Sequence, residues 1–219
     1  MERLNIPVFS GQGTAAMSSR FIQDQALNIS SSPIGALLLS SCFRAFHSEL
    51  SSLSNTDLET TGINLADFDK PSALLVIPRS CYVHNSVTSG TRLLLIQTLF
   101  YLEWAKRIER TSGTFAEILE QNSQYGAGIL GFSSGIFAAC VTGTSATLLD
   151  FISNAVSAFR VTLWIGVRAE CYRNHSLASS GLQINDNRSW SCVLLGMEFH
   201  AVNEAISNFF LQVGTPRLS

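Results

Sequence analysis

Apolar residues recur at helical spacing through "PIGALLLSSCFRAFHSEL" (33–50), and Pro33 suits the first turn of such a helix. The same period runs through "SGTRLLLIQTLFYLEWAKRIER" (89–110). There Leu93, Ile96, Leu99, Phe100, Trp104 and Ile108 form one stripe, and basic residues gather at the end where the helix dipole favours them. "TFAEILEQN" (114–122) predicts a further helix, with Thr114 and Glu117 as a capping box. "SATLLDFISNAVSAFRVTLWIGVRAECYR" (145–173) predicts a long one that can kink at Gly166. Short apolar runs at "NIPVF" (5–9), "YGAGILGFS" (125–133) and "WSCVLLGM" (190–197) read as strands, and "SGIFAACVTG" and "EFHAVNEAISNFFLQ" (198–212) as helices following the last two. "ALLVIP" (73–78) reads either as a strand or as the lead-in to a helix. The stretches 51–72 and 174–189 read as polar surface segments. Helices alternating with strands predict an α/β class with a largely parallel sheet.

Composition narrows the function classes. The chain has 219 residues, 46% apolar and 14% charged, with a net charge of −2 and no Lys/Arg-rich block. That fits one domain with a sizeable core and argues against disorder and against nucleic acid as a main partner. Cys42, Cys81, Cys140, Cys171 and Cys192 are odd in number, widely spaced and free of C-x-x-C, which argues against a disulfide framework or a zinc site and fits a reducing, cytoplasmic setting. Mean hydropathy is +0.24. The apolar runs are nevertheless interrupted before the ~18 residues a membrane span needs, so no membrane association is expected. The acids of "DFDK" (67–70) have no neighbouring histidine or third acid and predict no metal site.

Chemistry concentrates at Gly131-Phe132-Ser133-Ser134-Gly135, between a predicted strand and a predicted helix. A strand, Gly-x-Ser-x-Gly and a helix together lift a serine out of a sheet edge. The turn is strained, so its neighbours two positions away must be small, and the helix N-terminus can stabilise an oxyanion. The bland alternative is a glycine-rich bend between buried elements. "VFSGQGT" adds a flexible backbone at the end of the first strand, where α/β proteins place their sites. It matches neither the P-loop nor the dinucleotide fingerprint. Read alone it is a tight turn; beside the elbow it becomes an oxyanion-hole candidate.

"FSGQGT", the Gly-x-Ser-x-Gly, "AFRVTLWIGVRAECYR" and "SWSCVLLGM", in that order over nearly the whole chain, resemble the starter-unit acyl carrier protein transacylase domain of fungal non-reducing polyketide synthases. That domain is part of the malonyl-transacylase-like group. The resemblance implies an α/β-hydrolase-like large lobe, with a mainly parallel central sheet flanked by helices, and a ferredoxin-like small lobe. Residues 1–219 would be one such domain, ending at "GTPRLS" about where the small lobe would begin. It implies ping-pong transfer of a starter acyl group from a CoA or fatty-acid-synthase-derived carrier thioester to the phosphopantetheine arm of the synthase's acyl carrier protein. No permanently bound cofactor is implied. Ser133 would be the nucleophile, with backbone N–H groups of Gln12 and Ser134 as oxyanion donors and Gly131 and Gly135 shaping the elbow. Many starter-unit domains carry cysteine where this chain has Ser133; serine is usual in the wider group.

None of His47, His84, His175 and His200 sits in a family histidine motif, so the base is not identified from sequence. Malonyl-selective relatives hold the substrate carboxylate with an arginine at the register of Ala158. Here the nearest is Arg160, turned about 200° away on a helix, which favours an uncharged starter. Two other functions remain open. One is a serine esterase of the α/β-hydrolase class, for which only Asp186 and His200 follow the serine in the required order. The other is an inactive remnant or docking module. Phe43, Phe46, Phe100, Phe151, Phe159, Trp164 and Trp190 are expected to be packing residues.

Overall fold

The computed structural model describes residues 7–11, 19–112, 117, 128–180, 200, 201 and 204. The chain divides into two compact units, Met1–Leu182 and Gln183–Ser219. Every element named below lies in the first. Of the second, only His200, Ala201 and Glu204 are described, all helical and exposed. The expected helix at 114–122, apart from a helical Glu117, and the expected strand at 190–197 lie outside the described residues.

The first unit is mostly helical around one parallel strand pair. Strand β1 (Val8–Phe9) leads to helices α1 (Arg20–Ser30), α2 (Pro33–Ser51), α3 (Asn55–Thr61) and α4 (Ser86–Ser112). Strand β2 (Leu130–Gly131) and helices α5 (Gly135–Gly143) and α6 (Leu148–Ser180) follow. β1 and β2 run parallel, with Val8 opposite Leu130 and Phe9 opposite Gly131. Such a pair cannot be closed by a hairpin, and here the helical body supplies the crossover. Among the described residues this pair is the whole sheet, compatible with an α/β class. It is smaller than the central sheet expected.

Serines start several helices. Ser19, Ser32 and Ser54 each accept a first-turn amide, from Ile22, Gly35 and Asp57 at 3.2, 3.2 and 3.1 Å. The polar stretch 51–72 is more ordered than its composition suggested. It holds α3 and the 3₁₀ turns Leu65–Asp67 and Pro71–Leu74. Tyr82 donates its hydroxyl proton to Asp67 at 2.5 Å and accepts the Asn64 amide at 3.1 Å, tying the excursion to the body. The ambiguous 73–78 is no strand: it continues a 3₁₀ turn, and the carbonyl of Leu75 accepts from Arg92 Nε at 2.8 Å.

Helix α4 is the axis of the core. The expectation of a single apolar stripe understated it: every residue from Gly90 to Leu99 is buried. The reason is tertiary, since α1, α2, α5, α6 and the Pro71–Leu74 turn all pack on it. Its most deeply buried threonines are satisfied within the helix. Thr91 and Thr98 donate to the carbonyls of Val87 and Leu94 at 2.6 and 2.9 Å. Tyr101 stacks on Phe151 of α6 and also meets Phe9, which fastens β1 to the core.

Helix α6 begins with a reciprocal cap, Thr147 Oγ1 accepting the Asp150 amide while Asp150 accepts the Thr147 amide, each at 3.1 Å. It runs unbroken past Gly166 to Ser180, so Asn174, His175 and the residues up to Ser180 are helical where a polar loop was expected. Gly166 is the crossing point with α4: a Cβ there would lie 2.6 Å from Val87 Cα. Beside that crossing, Glu170, 1% exposed, accepts the Ser86 amide at 2.6 Å and so caps α4. Arg173 lies 3.5 Å from its other oxygen. We expect Glu170→Ala to cost about 2–4 kcal/mol in urea unfolding, because it leaves a helix amide and a partly buried guanidinium unpaired, and Glu170→Gln to cost less.

By length and composition Leu148–His175 passes as a membrane span, contrary to the reading of the apolar runs as too short. Its packing explains the apolar content. Phe151, Ala155, Phe159, Leu163 and Val167 are buried in the core, and the buried Glu170 caps a neighbouring helix. Those contacts belong to a core helix.

Candidate active site

β2 leads straight into Ser133, and α5 leaves from it. Parallel pairing holds the approach: the Leu130 and Phe132 amides donate to Pro7 and Phe9 carbonyls at 3.0 and 2.9 Å. The turn then closes on itself, with the Gly135 amide on the Phe132 carbonyl at 2.8 Å and the Ile136 amide on the Ser133 carbonyl at 3.1 Å. Ser133 has φ +52, the one non-glycine among the described residues with positive φ. A left-handed serine costs about 1–2 kcal/mol relative to ordinary backbone. The surrounding packing holds it there, with Ser133 exposed and Ser134 half-buried.

The two flanking glycines are needed for space. A Cβ on Gly131 would sit 2.5 Å from Ile136 Cα, and one on Gly135 would sit 2.4 Å from the Phe9 carbonyl oxygen. The first loop reaches the same corner. A Cβ on Gly11 would lie 2.7 Å from Ser133 Cβ and 3.3 Å from its Oγ, so the backbone after β1 comes right up to the serine. Gln12, the expected oxyanion donor that follows, lies outside the described residues.

The expected site residues are thus partly brought together. Gly11, Gly131, Ser133, Ser134 and Gly135 converge where β1 and β2 end. His47 Nε2 donates to the Phe68 carbonyl at 2.7 Å, and His84, His175 and His200 are exposed. Among the described residues Ser133 has no hydrogen-bonded base. Arg160 pairs with Glu49 on α2 at 3.2 Å, and Trp164 donates to the same carboxylate at 2.9 Å. Among the described residues no group of three His, Cys, Asp or Glu could hold a metal.

Gln97 also reaches this corner, a contact with no motif to mark it. It sits within the apolar run "LLLIQTLF", 8% exposed, and its Nε2 donates to the Ser10 carbonyl at 2.6 Å. A lone amide inside a buried helix was the available signal.

Both segments that meet at the corner are uncharged: no Asp, Glu, Lys or Arg occurs between Asn5 and Ser19 or between Gln121 and Leu149. Apolar side chains crowd the corner and remain open to solvent, among them Phe132 at 71% and Ile136 at 52% exposure. The four described cysteines are free. Cys42 offers no rival nucleophile, because burial pushes its thiol up to about 12. With a thiol alkylating reagent at neutral pH, exposed Cys81 and Cys140 should react in the folded chain and Cys42 only after unfolding. The proton held by Cys42 stabilises the fold below the free thiol's value of 9.0, and that contribution drains away as pH rises from there toward about 12.

A serine held on a strand-to-helix corner, with a glycine loop against it and no charge in either segment, is an arrangement able to pass an acyl group through an ester. A family model described as "Starter unit:ACP transacylase in aflatoxin biosynthesis" matches residues 8–219. The chain is 45% identical over 217 residues, 98% of its length, to orsellinic acid synthase ArmB of Armillaria ostoyae, and 43% identical over 217 residues to armB of Armillaria mellea. It is 33% identical over 169 residues, 76% of its length, to an orsellinic acid synthase of Beauveria bassiana. No solved structure matches it. The chain belongs to the starter-unit transacylase family, and it spans about a tenth of the length of the Armillaria relatives.

Proposed function

We propose that this chain loads the starter acyl group of a polyketide synthase. Ser133 Oγ attacks the carbonyl carbon of an acyl thioester, the C–S bond breaks, and the thiol leaves with the serine's proton. The thiol of the phosphopantetheine arm on an acyl carrier protein then attacks the serine ester, and the hydroxyl is restored. Gly131 and Gly135 keep the corner tight, and the family resemblance assigns the backbone amides of Gln12 and Ser134 as donors to the developing oxyanion. The observation that carries this reading is Ser133 at φ +52 between β2 and α5, with Gly11 packed against it.

The acyl donor is an acyl-CoA or a carrier-protein thioester from a fatty acid synthase, and the starter is uncharged. Both segments at the corner lack charged residues, and Arg160, the arginine nearest the register of a carboxylate holder, is engaged by Glu49. The test offers radiolabelled acetyl-, hexanoyl- and malonyl-CoA together with a holo acyl carrier protein. Label should reach the carrier protein from acetyl- or hexanoyl-CoA at least about tenfold faster than from malonyl-CoA, the size of a carboxylate left without a partner. A preference for malonyl-CoA would sink the uncharged-starter assignment. Release of free acid in many turnovers, with no carrier loading, would point to an esterase instead.

A further inference from the structure

We infer that Gln97 is a positioning residue for acyl transfer: its side-chain amide holds the Ser10 carbonyl and so sets where the Gly11 backbone stands against Ser133. This rests on the acyl-transfer reading and adds a residue to it from the middle of α4.

The contact joins residues 87 positions apart, at 2.6 Å. A carbonyl only accepts, so Nε2 must face Ser10. Oε1 is thereby turned into a buried position where it has no hydrogen-bond partner among the described residues. A leucine would fill this place in the core without stranding an acceptor. The amide is therefore a poor choice for packing, and what it secures is the Ser10 carbonyl.

That carbonyl is gripped from two sides. Gln97 donates to it from α4, and the first residue of α5 presses on it, since a Cβ on Gly135 would come within 2.6 Å of the Ser10 oxygen. The next residue, Gly11, lies against Ser133. Rotating the Ser10–Gly11 peptide would move the following amide relative to the serine. Oxyanion stabilisation depends on donors placed before the reaction begins, so a small misplacement costs rate rather than substrate affinity.

The test compares Gln97→Met with Thr98→Val in the 219-residue chain. Thr98 is also buried, but its hydroxyl bonds within α4, to the Leu94 and Leu95 carbonyls. Both variants should lower the unfolding midpoint. Only Gln97→Met should slow Ser133 acylation by acetyl-CoA, by about 10- to 100-fold with little change in KM, less than the loss of a direct oxyanion donor. Only Gln97→Met should speed amide hydrogen exchange in peptides spanning residues 8–14. Unchanged acylation in a folded Gln97→Met chain, or equal slowing in Thr98→Val, overturns the inference. If the unaltered chain forms no Ser133 ester at all, acyl transfer fails as a reading. The exchange measurement then decides by itself whether Gln97 holds the loop, and equal exchange in both variants overturns that too.

Discussion

Ser133→Ala ends acyl-enzyme formation. After incubation with acetyl- or hexanoyl-CoA, intact mass spectrometry should show one added acyl group on the unaltered chain and none on the variant. The rate should fall on the order of 10⁶-fold, the size of loss seen when the nucleophile of a serine site is removed. Ser133→Cys should retain acylation, because a thiolate attacks a thioester readily. Ser133→Gly separates chemistry from strain. It removes the hydroxyl while relieving a left-handed φ of +52, so it should be inactive yet more stable by about 1 kcal/mol. Acyl label persisting at full stoichiometry on Ser133→Ala would place the reacting group elsewhere and defeat the proposed mechanism.

Gly135→Ala should damage both the fold and the candidate site. The new Cβ would meet two backbone oxygens, Phe9 at 2.4 Å and Ser10 at 2.6 Å, with no flexible side chain to give way. Either β1 leaves β2 or α5 tilts, and both separate Gly11 from Ser133. A loss of about 3 kcal/mol in urea unfolding is expected, together with a fall in Ser133 acylation. Gly143→Ala, at the far end of the same helix, is the control. Its Cβ would find only Ile129 Cδ1 at 3.8 Å, and stability should stay within about 0.5 kcal/mol. If the two substitutions cost the same, the corner is not the tight joint described here.

Much of this corner was legible from residue types alone. Gly-x-Ser-x-Gly between a β-prone run and a small-residue helix implies a turn that excludes Cβ atoms, and Gly131 and Gly135 do meet backbone within 2.6 Å at their virtual Cβ positions. Helix periodicity marked α2 and α4, since burial of a helical face leaves a 3.6-residue trace, while α5 was marked by its small residues after the turn and most of α6 by its long apolar run. Other elements left weaker traces. α1 is amphipathic over only eleven residues, and α3 is seven residues of mostly polar character held by a serine cap and its neighbours. The 73–78 run is apolar enough for a strand, but Arg92 takes the Leu75 carbonyl that a sheet partner would have used.

By itself the sequence determined the glycine-flanked turn at Ser133 and the existence of α2, α4 and most of α6, because steric limits on glycine and the periodicity of burial are local. It also carried the order of motifs that marks the family. Only the tertiary structure decided that α4 is wrapped on all sides, that Glu170 caps it from α6, and that Gln97 reaches Ser10 across 87 residues. Such contacts join positions far apart in the chain, and no local pattern encodes which buried polar group will meet which carbonyl.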